Sequence, residues 1–219
     1  HKYHLLLSEE VFVTGFRRWL LGGLMLAGAV TAHAESLPAI GIIGAGQMGG
    51  TLATLWSKAG YPVIISSRHP EQLKDQVTQL GQQASAATPQ QAAAKAKIVV
   101  LAVPYGALPS LAKSLGSELK GKVVLDVTNP YPGRDGNVAE QALSKGVGLY
   151  SSGLFPEARL VRGFNSIAAA TLNSEAHRSG EKLAVPLAGD DPQALKEVSS
   201  LVSAAGFDPL VVGGLDKAR

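Results

Sequence analysis

The chain has 219 residues, of which 46% are hydrophobic and 17% charged, with a formal net charge of +3 at pH 7 and no cysteine. That length is sufficient for one α/β domain with a sizeable core. The absence of cysteine excludes disulfides, thiolate catalysis and zinc–thiolate sites. The positive charge is not gathered into a basic run with interleaved aromatics, which argues against nucleic acid as a partner.

The first 34 residues are predicted to be an extension outside the folded domain. Arg17 and Arg18 precede an apolar run over residues 19–30, and small residues follow at Ala32 and Ala34. This order of basic, apolar and small residues is typical of a secretory signal cut after Ala34, and the run is too short for a comfortable membrane span. We expect a periplasmic or exported protein that keeps no stable membrane span once the signal is removed. The alternative is a cytoplasmic or membrane-anchored protein that retains the segment.

A glycine-rich turn at the start of the domain lies between an apolar predicted strand and a predicted helix. It carries glycine at positions 44, 46 and 49. In this spacing Gly44 permits the tight turn, Gly46 lets a pyrophosphate approach the backbone, and Gly49 lets the helix pack closely on the sheet. The pyrophosphate would accept hydrogen bonds from N–H groups at the helix N-terminus, around Gln47 and Met48, where the helix dipole favours negative charge. The pattern predicts a dinucleotide site; the alternative is a glycine-rich turn without a ligand.

The end of the second predicted strand, over residues 62–66, indicates which dinucleotide is bound. An NAD site usually places a carboxylate there, about twenty residues beyond the glycines, to accept hydrogen bonds from the ribose 2′-hydroxyl. This chain has Ser66, Ser67, Arg68 and His69 instead. The two hydroxyls and the guanidinium can hold a 2′-phosphate, which arginine matches in geometry, and His69 could add a donor. We therefore predict NADP(H) rather than NAD(H); the alternative is that Arg68 is a solvated residue at the start of a loop.

Strands and helices alternate along the rest of the chain. Further strands are predicted over residues 82–87, 97–103, 122–128, 160–164, 183–188 and 207–212, and helices over residues 50–59, 71–80, 89–95, 108–119, the segment after Asn165 and 192–205. Residues 131–136 form a predicted loop rich in glycine and proline, followed by a helix to about residue 145. This alternation predicts an α/β fold over residues 39–219, with a single doubly wound, mostly parallel sheet of the Rossmann type and helices on both faces.

Ligands of such sheets lie beyond the carboxyl ends of the strands. Ala102, Val103 and Pro104 follow the clearest buried strand and form an apolar strand end that suits the face of a nicotinamide ring. Asn129 follows the next strand and could hydrogen-bond a carboxamide or a substrate, and Asn165 is a similar candidate. The sequence contains no recognisable acid–base constellation, so we name no catalytic residue and no metal ligand.

These pieces resemble, in order along residues 39–219, the NADP-dependent coenzyme F420 oxidoreductase family. The matching segments are IIGAGQMGG at 42–50, SSRHP at 66–70, VLAVP at 100–104, LDVTNP at 125–130, VRGFNS at 161–166 and AGDDP at 188–192. In that family hydride passes directly between NADP(H) and the deazaflavin F420, so the resemblance implies an NADP(H)-dependent oxidoreductase with a small-molecule redox acceptor. F420 is the acceptor that the family implies, and FMN or FAD would fit the same open rim. The resemblance also implies that Ser66, Ser67 and Arg68 hold the 2′-phosphate and that Val103 and Pro104 lie near the nicotinamide.

Family members continue beyond the position equivalent to Arg219 into a further helix that helps to form the acceptor pocket, and we expect this helix to be absent here. Two other functions stay open. One is an imine reductase resembling pyrroline-5-carboxylate reductase, which has a similar glycine turn but needs a long helical dimerisation domain for which the chain has no room. The other is a non-catalytic NADP(H)-binding sensor, or a module that serves a partner protein. We also keep a homodimer as a candidate assembly.

Overall fold

The computed structural model describes residues 35–219, in which eight strands form one sheet. The strands are β1 Ile40–Ile43, β2 Val63–Ser66, β3 Ala84–Ala87, β4 Ile98–Leu101, β5 Val123–Asp126, β6 Arg159–Gly163, β7 Ala184–Gly189 and β8 Asp208–Gly213. Their order across the sheet is β3-β2-β1-β4-β5-β6-β7-β8. Neighbouring strands are parallel except for β6 and β7, which are antiparallel. The predicted single, mostly parallel sheet is therefore confirmed.

Helices connect the strands. In residues 35–219 they are α1 Gln47–Lys58, α2 Lys74–Leu80, α3 Pro89–Lys95, α4 Leu108–Leu115, α5 Pro132–Lys145, α6 Val147–Leu154, α7 Ala169–Glu175 and α8 Pro192–Ala204. Short 3₁₀ turns lie at Pro70–Leu73, Tyr105–Ala107 and Leu215–Lys217. The strand–helix alternation that the sequence predicts is thus present along the whole described part of the chain.

The central strands supply two hydrophobic cores, one on each face of the sheet, because successive residues of a strand point to opposite faces. Ile40 and Ile42 of β1 lie in the core that contains Trp56 of α1. Ile43 lies in the other core, which contains Ala92 of α3. A strand that is buried on both faces reads as a continuous apolar run. The predicted helices on both faces of the sheet are therefore confirmed.

Two helices begin at capping residues that the sequence indicates. Thr88 precedes α3, where its Oγ1 accepts a hydrogen bond from the Gln91 N–H at 3.2 Å and the Gln91 side chain accepts one from the Thr88 N–H at 3.1 Å. Asp191 precedes α8, and its Oδ1 accepts a hydrogen bond from the Ala194 N–H at 2.9 Å. These side chains satisfy N–H groups that the first helical turn leaves free, so the starts of both helices follow from local sequence.

Apart from shifts in where elements end, such as α4, which stops at Leu115 and not at residue 119, the structure differs from the predicted elements in three places. The helix predicted over residues 71–80 divides into the 3₁₀ turn Pro70–Leu73 and α2. Of the loop predicted over residues 131–136, only Tyr131 is outside a helix; α5 begins at Pro132 and is interrupted at Gly136, which has φ 55° and ψ −136°. Helix α6 was not predicted, because its two internal glycines lower helix propensity; it forms with Val147 and Ser151 buried.

Residues 36–219 form one compact unit. Within residues 35–219, no helix combines the length and apolar character that a membrane crossing requires. The predicted export signal, with Arg17, Arg18 and the apolar run that follows them, lies outside the described residues. Export therefore stays a prediction.

Candidate functional site at the switch point of the sheet

The predicted site residues follow four neighbouring strands. β2, β1, β4 and β5 are adjacent and parallel, so their carboxyl ends meet at one edge of the sheet. The glycine turn follows β1, Ser67 and Arg68 follow β2, residues 102–104 follow β4, and Asn129 comes shortly after β5. The strand order reverses between β1 and β4, and this is the place where open α/β sheets bind their ligands.

The three glycines of the turn meet different local demands. Gly44 has a φ of +109°, and a Cβ on it would come within 2.2 Å of the Ala102 carbonyl oxygen. A Cβ on Gly49 would come within 2.2 Å of the Gly44 carbonyl oxygen. Gly46 is different, because no heavy atom outside its chain neighbours lies within 4 Å of its Cβ position. The space beside Gly46 is therefore open, as the close approach of a pyrophosphate requires.

The N-terminus of α1 faces this open space. Gly46 is the N-cap residue and supplies no capping side chain. The Gly50 N–H donates to the Gly46 carbonyl at 2.7 Å. The N–H groups of Gln47, Met48 and Gly49 precede that bond, in the turn where an α-helix offers no backbone acceptor. Together with the helix dipole, they are suited to an anion.

Ser66 is a correction to the predicted phosphate site. Its side chain is fully buried, and its Oγ donates to the Ile42 carbonyl at 2.8 Å. A hydroxyl has a single proton to donate, and here that proton ties β2 to β1. The Ser66 side chain therefore has a structural role, and the phosphate contact predicted for it falls to the residues that follow.

Ser67, Arg68 and His69 form the turn after β2. The Ser67 Oγ accepts a hydrogen bond from the His69 N–H at 2.9 Å, a local contact that fixes such turns. Arg68 and His69 are exposed. The His69 Nδ1 lies 3.4 Å from the Glu71 Oε1. The His69 side chain therefore already has a carboxylate as a neighbour in this turn. The 2′-phosphate roles of these three residues stay predictions.

A cleft of about 270 Å³ lies at the ends of β4 and β5. The Ala102 N–H donates to the Ile43 carbonyl at 2.9 Å, and the Val127 N–H donates to the Leu101 carbonyl at 3.2 Å. These bonds hold the segments that follow β4 and β5 against the neighbouring strands β1 and β4. The lining residues are Met48, Ala102, Val103, Pro104, Val127, Thr128, Asn129, Tyr131 and Arg134. The cleft thus brings together the predicted residues Ala102, Val103, Pro104 and Asn129, whereas the predicted Asn165 lines a neighbouring cavity. Tyr131 and Arg134 also line the cleft, and the sequence did not indicate them.

Arg134 and Asp135 connect the two sides of this cleft. The Asp135 carboxylate accepts hydrogen bonds from the Gly106 N–H at 3.0 Å and from the Tyr131 N–H at 2.9 Å. The Arg134 guanidinium pairs with the same carboxylate through Nε and Nη2, both at 2.9 Å, and Nη2 also donates to the Asn129 carbonyl at 2.9 Å. It lies 4.9 Å from the centre of the Tyr131 ring, within cation–π distance. We call Arg134 and Asp135, with the groups they bind, the clamp. Its only signal in the sequence is that two residues of opposite charge are adjacent.

The clamp is charged at neutral pH. Burial raises the pKa of Asp135, but hydrogen bonds from Arg134 and from the N–H groups of Tyr131 and Gly106 outweigh burial and hold this pKa below its usual value. The hydrogen bond to Asp135 likewise raises the pKa of Arg134. Because the folded-state pKa of Asp135 is lowered, its stabilising contribution is complete above the ordinary carboxyl pKa and is lost as the pH falls through the folded-state value.

A buried ion pair fixes the chain just before Asn129. The Arg162 Nη1 lies 2.6 Å from the Asp126 Oδ2, with side chains 5% and 0% exposed. The other Asp126 oxygen accepts hydrogen bonds from the N–H and the hydroxyl of Thr128, at 2.9 and 2.5 Å. The Arg162 Nη2 donates to the Thr128 carbonyl at 2.9 Å. Buried charges persist only when they are paired and hydrogen-bonded, so this network holds the end of β5 in one conformation.

Tyr105 is a buried phenol on the turn after the cleft residues. Its hydroxyl lies 2.8 Å from the Ser151 Oγ, and burial raises its pKa to about 12. It therefore stays protonated at neutral pH, and it does not line the cleft. These features make it a structural residue and not a proton donor to a ligand.

A second cavity of about 460 Å³ adjoins the cleft, and Asn129 and Tyr131 line both spaces. Its volume lies within the range of pockets that hold small molecules. Its other walls include the aliphatic side chains of Leu143, Val147 and Val212 and the cationic side chains of Lys217 and Arg219. The segment of Asn129 and Tyr131 is therefore a shared wall between two neighbouring spaces.

Comparison with known proteins gives the family context. Residues 39–130 match the model of the family described as NADP oxidoreductase, coenzyme F420-dependent. Among curated proteins, the chain is 30% identical over 192 residues to Metalloreductase STEAP3 of Rattus norvegicus and 27% identical over 183 residues to Metalloreductase STEAP2 of Homo sapiens. These alignments cover 88% and 82% of this chain. The chain spans 37% and 34% of the length of these two relatives.

Solved structures give the same result. The hypothetical protein SMa0349 from Sinorhizobium meliloti is 29% identical with a TM-score of 0.73, over 83% of this chain and 88% of that one. A structure assigned as an F420-dependent NADP reductase from Arthrobacter sp. FB24 is 25% identical with a TM-score of 0.67, over 83% and 87%. A pyrroline-5-carboxylate reductase from Coxiella burnetii is 17% identical with a TM-score of 0.60, over 80% and 58%, and shares the fold alone. The resemblance to the coenzyme F420-dependent NADP oxidoreductase family is thus confirmed, and the chain is related to NADP-dependent oxidoreductases.

Proposed function

We propose that this chain is an NADP(H)-dependent oxidoreductase that transfers hydride to or from a deazaflavin or flavin acceptor. The observation that carries the proposal is the shared wall of Asn129 and Tyr131, which separates a small apolar cleft from a larger cavity at the switch point of the sheet. A nicotinamide ring in the cleft and an acceptor ring in the larger cavity could meet at the edge of this wall. NADPH, when bound, supplies the hydride, and the chain supplies binding and alignment.

The residues at the ends of β1 and β2 fit the cofactor. The open space at Gly46 and the free N–H groups of α1 suit the pyrophosphate. Arg68 is exposed at the end of β2, where an NAD site would carry a carboxylate. Ser67 lies beside Arg68 and can add a hydroxyl. These features favour NADP(H) over NAD(H), because a guanidinium matches a 2′-phosphate and no carboxylate at positions 66–69 repels it.

The cleft suits the nicotinamide. Val103 and Pro104 give it an apolar wall, and Met48 from the first turn of α1 also lines it. Direct hydride transfer depends mainly on the alignment of two rings and needs little acid–base machinery. The side chains of the cleft exclude water from one face of the ring and orient it. No residue of the chain is required to move a proton in that step.

The larger cavity suits the acceptor. Its aliphatic side chains can contact a planar ring, and Lys217 and Arg219 can attract an anionic substituent. F420, FMN and FAD all combine a planar redox ring with phosphate groups. The names of the relatives point to two acceptor classes, F420 and metal ions, so a ferric chelate belongs in the test beside the ring compounds.

The test is NADPH oxidation by the full chain, followed through the near-ultraviolet absorbance of NADPH, with F420, FMN and FAD offered in parallel. A ferric chelate is added with and without each flavin, and NADH replaces NADPH as the control. We expect turnover with at least one ring acceptor and a preference for NADPH. Tight NADPH binding without turnover with any acceptor would instead support the non-catalytic sensor or partner module.

Two remaining alternatives need one further substrate and one further measurement. An imine reductase resembling pyrroline-5-carboxylate reductase would oxidise NADPH with a cyclic imine and not with a flavin. The likeness to such enzymes lies at 17% identity and covers 57% of the Pseudomonas imine reductase chain, so it concerns the fold alone. The homodimer stays a prediction, which light scattering of the purified chain would check.

A further inference from the structure

The Asn129 amide has a fixed orientation. Its Nδ2 donates to the backbone carbonyl of Asn165 at 2.6 Å. A carbonyl oxygen can only accept, so the NH₂ group of the amide must face Asn165 and the Oδ1 must face away from it. One N–H of the Asn129 amide is thus held by Asn165, and the side chain presents its Oδ1 as an acceptor on the side away from Asn165.

The Asn165 side chain is itself held by two hydrogen bonds to the end of β5. Its Nδ2 donates to the carbonyl oxygens of Asp126 at 3.0 Å and Thr128 at 3.1 Å. The preceding residue, Phe164, is 1% exposed and has a φ of +59°. A bulky residue in this left-handed region is strained, and such strain persists only where the surroundings impose it.

Aromatic packing imposes the Phe164 conformation. The Phe164 ring meets the rings of Trp56 and Phe207 edge to face, at centroid distances of 6.3 and 6.1 Å. The preceding residue, Gly163, does not have the positive φ. It is a glycine because of close packing, since a Cβ on it would lie 2.6 Å from the Leu187 Cδ2. The chain thus turns at Phe164 and brings the Asn165 carbonyl to Asn129.

We propose that the Asn129 Oδ1 accepts a hydrogen bond from the carboxamide NH₂ of the nicotinamide, and that Asn165 is the positioning residue that orients it. The proposal rests on the NADP(H) site argued above. Asn129 lines the cleft assigned to the nicotinamide, and the Arg134 Nη2 holds its backbone carbonyl at 2.9 Å. An acceptor fixed in this way selects a ring that carries a donor. A methyl ketone in place of the carboxamide would put a methyl group against this oxygen and leave the oxygen without its donor.

The test compares the dissociation constants of NADP⁺ and its 3-acetylpyridine analogue, which lacks the NH₂ group, measured by titration calorimetry on the full chain. We expect the unsubstituted chain to prefer NADP⁺ by about tenfold, the size of one hydrogen bond lost with its acceptor left unpaired. The Asn129→Ala and Asn165→Ala chains should bind both ligands with nearly equal affinity. Asn137→Ala, at an exposed position of α5, should keep the preference.

Binding of 2′,5′-ADP separates this proposal from the proposed function. It carries the adenosine and the 2′-phosphate but no nicotinamide, so its affinity should be the same in all four chains. Equal affinity of the unsubstituted chain for NADP⁺ and the analogue would overturn the role of Asn129, as would a preference that survives Asn129→Ala. A preference that survives only Asn165→Ala would overturn the positioning role. Failure of both NADP⁺ and 2′,5′-ADP to bind would overturn the proposed cofactor site, and this proposal with it.

Discussion

Replacing Arg68 with glutamate is expected to weaken NADPH binding about 100-fold, the effect of losing charge-assisted hydrogen bonds and adding a repulsive charge. Arg68 is exposed at the end of β2, beside the strand that leads into the glycine turn. NADH lacks the 2′-phosphate, so its affinity should stay the same or rise, because a carboxylate at this position can accept a hydrogen bond from the ribose 2′-hydroxyl. Calorimetric titration with both dinucleotides measures the two effects.

Lys97→Glu is the matched control for Arg68→Glu. Lys97 is exposed and directly precedes β4, so it lies at the opposite, amino edge of the sheet. The substitution makes the same change in net charge without touching the proposed phosphate site. Arg68→Glu and Lys97→Glu should therefore differ by about the full 100-fold in NADPH affinity. An equal effect of the two substitutions would mean that NADPH senses only overall charge, and the 2′-phosphate assignment would be wrong.

Alanine at two positions of the glycine turn is expected to give two different defects. Gly44→Ala should lower the free energy of unfolding by about 3 kcal/mol, because glycine supplies its positive φ and the Cβ would meet the Ala102 carbonyl at 2.2 Å. Gly46→Ala should lower that free energy by less than about 1 kcal/mol, because its Cβ meets open space. It should nevertheless weaken NADPH and NADH alike by at least about tenfold, since both carry the pyrophosphate that must approach there.

Urea denaturation and dinucleotide titration of the same samples separate these defects. Gly153→Ala is the control, because it is an exposed helical glycine whose Cβ would meet only the Lys145 Nζ, at 3.8 Å. It should leave binding unchanged and keep or slightly raise stability. If Gly46→Ala bound both dinucleotides as tightly as the unsubstituted chain, no pyrophosphate would lie at this turn.

The parts of the site that follow from sequence are those with local causes. The glycine turn, the apolar end of β4 and the caps at Thr88 and Asp191 each depend on residues within a few positions of one another. The central strands were predictable because burial on both faces leaves a continuous apolar run. Strand order then brings their carboxyl ends together, as the doubly wound pattern requires.

The parts that sequence did not reveal depend on contacts between distant segments. Asp135 accepts a hydrogen bond from Gly106, 29 residues earlier, so a Gly- and Pro-rich stretch that reads as a loop becomes a wall of the cleft. From sequence alone, the Ser66 hydroxyl is a candidate to bind phosphate. In the structure β2 pairs with β1, and this hydroxyl donates to the Ile42 carbonyl instead. Phe164 adopts positive φ although a glycine precedes it, because packing of aromatic rings from α1 and the segment before β8 decides the backbone there.

The central claim is that the switch point of this sheet binds NADP(H) in preference to NAD(H). Its most direct test is the pair of dissociation constants for NADPH and NADH, titrated calorimetrically into the unsubstituted full chain under the same salt conditions. The account predicts that NADPH binds at least about tenfold more tightly, as one charge-assisted contact to the 2′-phosphate requires. Equal affinity for the two dinucleotides, tighter binding of NADH, or binding of neither would contradict it.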